Sequence, residues 1–350
     1  MVAGSESIDH LFTVADPVLR PAVGAVGGAW STLDPLTLLD TRCQLIFDLG
    51  DGPQPLPQDV ARERRLFELE WLDEAPNTFT DLWRSGRTAA ALSIDIGDPS
   101  TVPRFAELLA PLGATDELRV LLRAAGAAWG VLCLYRAVGT FSASDVAVAE
   151  ACAPVLAVEL RALLLRLASA GPTATAPGSL LLDADDATIV TSPQAESLLG
   201  EADEAVVGPT LRSLAAATRR RGAASALMPA RRAMVSLHGA PAKGLDGGVM
   251  VVVQHVGADR VVPLLMARLG LTDSESRVVE LVLRGESRVS AARSLGISVH
   301  TVGDHLSAVY GKAGVSSRAE LCALVFDLVY LPRRDEGATP DAFGHYLPVD

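Results

Sequence analysis

The sequence predicts a multidomain α+β chain, with two mixed α/β segments followed by an all-α four-helix domain. Three observations carry that prediction. At 350 residues the chain exceeds the usual size of one compact domain. Hydrophobic residues make up 49 % and charged residues 21 %, enough apolar material for real cores, and the low aromatic content (5 %) favours helices packed through Ala, Leu and Val. Short β-like runs alternate with helical ones up to about residue 256, after which only capped helical segments follow.

In the first segment, 1–168, Cys43 to Leu49 and Gly130 to Tyr135 read as strands. Pro53, Pro55 and Pro57 mark an irregular loop, and the amphipathic, charge-rich stretch Val60 to Leu72 reads as a helix. A longer helix runs from about Ser144 to Ala168. Ser142 and Asp145 have capping-box spacing before it, with Asp in the Glu place. Residues 169–177, rich in Gly, Pro, Ala and Thr, read as a linker.

In the second segment, 178–256, Ser179 to Leu182 and Thr188 to Thr191 are β-like and separated by the turn signal Asp183-Ala184-Asp185-Asp186. A helix over Pro193 to Leu199 follows, then a polar stretch whose Arg219, Arg220 and Arg221 read as a solvated helix end. Ala233 to Leu237 and Val249 to Val253, split by a Gly-rich turn, complete a small α+β domain. The tail, 331–350, is rich in Pro, Gly and charge and reads as flexible.

Charge and motif content exclude several classes. The net charge is −12, but residues 259–350 carry ten basic and twelve acidic side chains, so the C-terminal part is the least acidic. That distribution suits an acidic sensor joined to a near-neutral reader, and excludes a basic DNA-packaging protein. Met1 to Phe12 lack the basic start and apolar run of a secretory signal, and Val146 to Leu167 is interrupted by charges, so no membrane association is expected. Cys43, Cys133, Cys152 and Cys322 are far apart, as reduced buried thiols of a cytoplasmic protein would be. His238 and His255 lack metal-ligand spacing, so no metal is expected. No GxSxG, HExxH or GxxxxGK(S/T) occurs, and Asp48, Asp51, Asp185 and Asp186 sit in turn contexts, so no catalytic residues are assigned and the chain does not read as an enzyme.

The C-terminal segment, 257–330, divides into four helices by caps alone. Thr272 and Glu275 form a capping box before Val278, Val279, Leu281 and Val282, with Gly285 as the stop. Ser287 opens a second helix, Gly296 breaks it, and Ser298 caps a third carrying Val302, Leu306 and Val309. Gly314 stops that one, and Ser317 and Glu320 box the fourth. A helix-turn-helix needs a small residue where its helices touch, a residue tolerant of positive φ in the turn, and an apolar lock on the next helix. Ala292, Gly296 and Val302 supply these.

Residues 269–326 resemble the LuxR/NarL-type helix-turn-helix family. The string is Leu271-Thr272, Glu275, Val278, Leu281, Gly285, Ser287, Ala292, Leu295, Ile297-Ser298, Thr301-Val302, His305-Leu306, Tyr310, Lys312, Gly314-Val315 and Arg318. The resemblance implies that the third helix enters the major groove of double-stranded DNA and that the protein acts as a homodimer. It places Val299, His300, Gly303, Asp304 and Ser307 towards the groove, Arg288 and Ser298 beside it, and makes Thr301, Tyr310 and Lys312 candidates for phosphate contact. The family usually carries a basic residue at the position of Gly303, and some members carry another near Ser307, but neither is basic here. Arg288 stands where an Asn is usual and restores one cation. The alternative is a protein-interaction adaptor whose helix-turn-helix no longer binds DNA.

The block Gly126 to Arg136, followed by Phe141 to Asp145 and the long helix, resembles the end of a GAF domain, together with Gly113 to Leu122 upstream. Residues 178–256 resemble a PAS-like domain through Leu180 to Gly200. Both resemblances imply a sensor domain that can enclose a small-molecule effector, with no cofactor specified. Trp129 and Tyr135 are candidates to line such a pocket, with plain core packing as the other reading.

Overall fold

The computed structural model describes residues 5, 7–48, 53–55, 60–71, 76–169, 176–231, 233–256, 269–283, 285–329, 339–340 and 346–347. They fall into two compact units that divide at about Val256.

The first unit begins with α1 (Ile8–Ala22), β1 (Gly27–Leu33), β2 (Asp40–Asp48), β3 (Pro53–Pro55), α2 (Val60–Glu70), α3 (Phe79–Ser85), β4 (Ala89–Ala91) and α4 (Leu92–Ile96). Then come β5 (Asp116–Ala124), β6 (Ala127–Arg136) and α5 (Ala143–Ser169). The strands form a six-stranded sheet in the order β3-β2-β1-β6-β5-β4. The central β1 pairs antiparallel with both neighbours, Trp30 standing opposite Gln44 on one side and Leu132 on the other. Every residue of β1 is buried, so it lacks the alternation by which a half-exposed strand shows itself in sequence. The start of α5 is as the spacing predicts. The Ser142 amide donates to Asp145 Oδ2 (2.7 Å) and the Asp145 amide to Ser142 Oγ (3.3 Å).

β7 (Gly178–Leu182), β8 (Thr188–Thr191), α6 (Pro193–Leu199), α7 (Glu204–Arg221), β9 (Ala224–Pro229), β10 (Met234–Pro241) and β11 (Val249–His255) complete this unit. Their strands form a second antiparallel sheet, β8-β7-β11-β10-β9. The two sheets share a core. Leu39, Phe67 and Trp71 from the first part pack in one cluster with Leu180, Leu214, Leu237 and Val251 from the second. Polar ties reinforce the junction: Thr210 Oγ1 donates to the Thr41 carbonyl (2.6 Å), and Arg212 pairs with Glu63.

The polar stretch before Arg219 is thus an 18-residue helix, α7, and its end is not simply solvated. Arg219 donates to the carbonyls of Gly247 and Asp183 and pairs with Asp186 at 2.7 Å, which pins the β7–β8 turn. The Arg221 guanidinium lies 4.1 Å over the Trp71 ring.

The second unit holds α8 (Asp273–Leu283), α9 (Arg288–Leu295), α10 (Val299–Ala313) and α11 (Arg318–Val329). Two small cores join them. One contains Val278, Val282, Ala291, Ala292, Val302 and Leu306, the other Leu271, Val279, Val309 and Leu321. In the tail, β12 (Thr339–Pro340) pairs with β13 (Tyr346–Leu347). The rest of 331–350, most of the 169–177 linker and residues 257–268 lie outside the described residues. Among the described residues no helix is long and apolar enough to cross a membrane.

Candidate nucleic-acid interface

The caps of α8 to α10 place the interface. The Thr272 amide donates to Glu275 Oε2 (2.6 Å) and the Glu275 amide to Thr272 Oγ1 (3.3 Å), the expected capping box. Ser287 Oγ accepts from the Ser290 amide (3.1 Å), and Ser298 Oγ from the Thr301 amide (3.0 Å). Between them the Ile297 amide returns to the Ala292 carbonyl (3.1 Å), a reversal that requires Gly296 at φ +67°. Ala292 is buried where α9 meets α10, and Val302 is fully buried beside it.

α10 turns Val302, Leu306 and Val309 inward and leaves Val299, His300, Asp304 and Ser307 exposed, with Ser298 exposed at its cap. Thr301 and Gly303 are half-buried at the sides of this face, and Arg288 is exposed at the start of α9. Two other candidates lie elsewhere. Tyr310 is half-buried and packs against both small cores. The Lys312 ammonium rests on Glu275 Oε2 (2.6 Å) and the Gly270 carbonyl (3.0 Å). Burial pushes the Glu275 carboxyl up, but Lys312 and the Thr272 donors outweigh it and hold it below the ordinary glutamate range. The groove-facing candidates therefore come together on one side of α10, while the phosphate candidates Tyr310 and Lys312 are engaged with their own domain.

Arg318 had no role assigned from sequence beyond its place in the family string. It donates to the Val282 and Glu286 carbonyls (both 2.9 Å), which satisfies the end of α8 from the first turn of α11. A lone exposed arginine carries no local signal for such a long-range bond.

In the first unit Trp129 and Tyr135 are both buried. Trp129 Nε1 donates to the Ala124 carbonyl (2.9 Å), and Tyr135 packs with Phe79, Phe105, Leu121 and Cys133. The same face of the sheet carries a buried ionic chain that sequence reading missed. Arg104 donates to Glu117 Oε2 (2.7 Å), Glu117 Oε1 meets Arg119 (3.3 Å), and Arg119 meets Glu70 Oε2 (2.9 Å) and the Asn77 carbonyl (2.6 Å). Burial pushes Glu117 up, but the two guanidiniums hold it below the usual carboxylate range. Asp40, buried and repelled by Glu70, is pushed up to about 8. Burial raises the Cys43 and Cys133 thiols to about 12, which makes both poor nucleophiles. His255 pairs with Glu201 at 3.3 Å, and His238 meets Ser236 Oγ at 2.9 Å. No group of three metal-ligating side chains occurs among the described residues.

Residues 269–325 match the family model of bacterial regulatory proteins, luxR family. The matched stretch covers the α8–α11 unit, which is therefore a luxR-family helix-turn-helix domain of the kind found in DNA-binding regulators. No curated protein matches the chain. Several solved structures resemble it weakly. A phage VqmA–DPO complex is 18 % identical over 43 % of this chain and 81 % of that one, with a TM-score of 0.24. The Vibrio cholerae VqmA dimer without target DNA is 18 % identical over 43 % and 82 %, with a TM-score of 0.20. The bacteriophytochrome RpBphP3 of R. palustris is 12 % identical over 72 % and 59 %, with a TM-score of 0.28.

Proposed function

We propose that the protein is a cytoplasmic one-component transcription regulator, a homodimer that reads promoter DNA through α10 under control of its N-terminal unit. The observation that carries this reading is the α9–turn–α10 geometry, which holds His300, Asp304 and Ser307 on one exposed face opposite the domain core, with Ser298 and Val299 exposed at its N-terminal end. The face has little electrostatic pull. Lys312 is the sole Lys or Arg of α10 and is paired with Glu275. Affinity then depends on two copies acting together. An apolar row on α5 supports a dimer: Val148, Val155 and Val158 are 37 %, 57 % and 54 % exposed, at helical spacing along one side.

The six-stranded sheet supports a GAF-like reading and the five-stranded sheet a PAS-like one, and either could host an effector. Beside the ionic chain Arg104 Nη1 and Asn77 Nδ2 are buried donors without an acceptor among the described residues, and a small molecule bearing an acceptor would satisfy them. Native mass spectrometry of the purified full chain reports oligomer and retained effector together. A strictly monomeric, ligand-free chain would remove the sensor-controlled dimer from this reading.

The cation-poor face also favours a second reading, an interaction adaptor that no longer binds DNA. A genome-wide binding assay separates the two. Discrete, palindromic sites support the regulator, and their absence supports the adaptor. The reader itself is tested by His300→Ala combined with Thr301→Ala, which should abolish retention of a bound site in a gel while leaving oligomeric state unchanged.

A further inference from the structure

The geometry points to Asp304 as a specificity-determining residue whose carboxylate accepts a hydrogen bond from the exocyclic amino group of a cytosine in the major groove. This rests on the reading of α10 as the DNA reader. With about 100° of rotation per residue, Asp304 stands about 200° around the helix from the buried Val302, in the middle of the exposed side. Its side chain is 66 % exposed. Neighbouring groups leave it available: Gly303 presents no side chain, and the Ser307 hydroxyl is used on the Gly303 carbonyl (3.0 Å). His300 Nε2 is 3.7 Å away, beyond hydrogen-bond length.

A carboxylate at the centre of a groove-facing helix is repelled by both phosphate rows and by every acceptor on the base edges. The groove offers two donors, cytosine N4 and adenine N6. The adenine amino group lies between two acceptors, its own N7 and the O4 of the paired thymine. The cytosine amino group has an acceptor on one side only, the O6 of its guanine, and a C–H on the other. Cytosine is therefore the base against which this charge is least opposed. Guanine or thymine leaves the carboxylate desolvated and unpaired, and adenine sets an acceptor on each side of it, so the group trades overall affinity for discrimination.

The test is selection of binding sites from random duplexes with the full chain as wild type, Asp304→Ala and Asp304→Asn. Wild type should enrich one cytosine per half-site, and its replacement should weaken binding roughly tenfold. Asp304→Ala should bind the same sites at least as tightly and lose that preference. Asp304→Asn should shift it to adenine, because a carboxamide matches adenine N6 and N7. Identical site preferences for wild type and Asp304→Ala would overturn this assignment alone. If none of the three proteins enriches any sequence, the reading of α10 as a DNA reader fails, and this assignment with it.

Discussion

Gly303 faces open space: apart from its chain neighbours and its own helix backbone, nothing among the described residues lies within 4 Å of where a Cβ would stand. A lysine there meets no clash, replaces a poor helix former and gives the exposed side of α10 an unpaired cation. Each phosphate neutralised contributes about −0.9 to the slope of log affinity against log salt. Gly303→Lys should therefore tighten binding at low salt and steepen that slope by about one unit, as fluorescence anisotropy across a salt series would show. An unchanged slope would mean that this side of α10 does not approach phosphate. Asp40 permits a test inside the first unit. Its carboxyl is raised from 3.8 to about 8, so the folded protein holds a proton that the unfolded chain releases. The stability due to that proton is fully present below about pH 4 and declines as pH rises through 8, by at most about 1.4 kcal/mol per pH unit. Asp40→Asn lacks this decline. Its melting temperature relative to wild type should climb from acid to mildly alkaline pH and then level off, and a difference independent of pH would contradict the buried protonated acid.

Helices announce themselves in sequence when their ends are marked by short-range chemistry. Ser142 with Asp145, Thr272 with Glu275, and Ser287 and Ser298 alone each satisfy amides within three residues, so α5 and α8 to α10 were legible from spacing. α7 was not. Its buried side is built from Thr210, Arg212 and Ser213 as well as Leu214, and its partners lie far off in sequence at Glu63 and Thr41. The fully buried β1 was missed for the related reason that burial on both faces erases the period of two. Two elements give tests. Ser298 holds the first turn of α10, and Ser298→Ala should destabilise the C-terminal unit by about 1 kcal/mol, read as a lower thermal midpoint for that unit with loss of DNA retention. On α5, Val155→Glu together with Val158→Glu puts charge into the exposed row without touching the buried Leu156 and Leu160. Sedimentation velocity should show the dimer replaced by a folded monomer, and a dimer of unchanged affinity would place the contact elsewhere.

At the scale of the whole molecule, the Gly/Pro-rich stretch at 169–177 marks a joint in the chain but gives no view of what packs across it. Leu39, Phe67 and Trp71 read locally as a pre-strand residue and the end of a helix, yet they fill the core beneath the second sheet. Arg64 reaches Asp185, and Arg212 reaches Glu63, across the same junction. Such contacts separate residues by more than a hundred positions, so no window along the sequence contains both partners. The consequence is mechanical. A disturbance on either sheet is felt in one shared core, as the proposed sensor role requires. Leu39 is the sharpest probe, because it is fully buried, immediately precedes β2 of the first sheet and lies in one core cluster with Val251 and Leu237 of the second. Leu39→Ala removes about 2–5 kcal/mol of packing. If the two sheets open together, hydrogen exchange in the full chain should accelerate at the amides of β10 and β11 by the same factor as at β1 and β6. Acceleration confined to β1 and β6 would show two sheets that open separately.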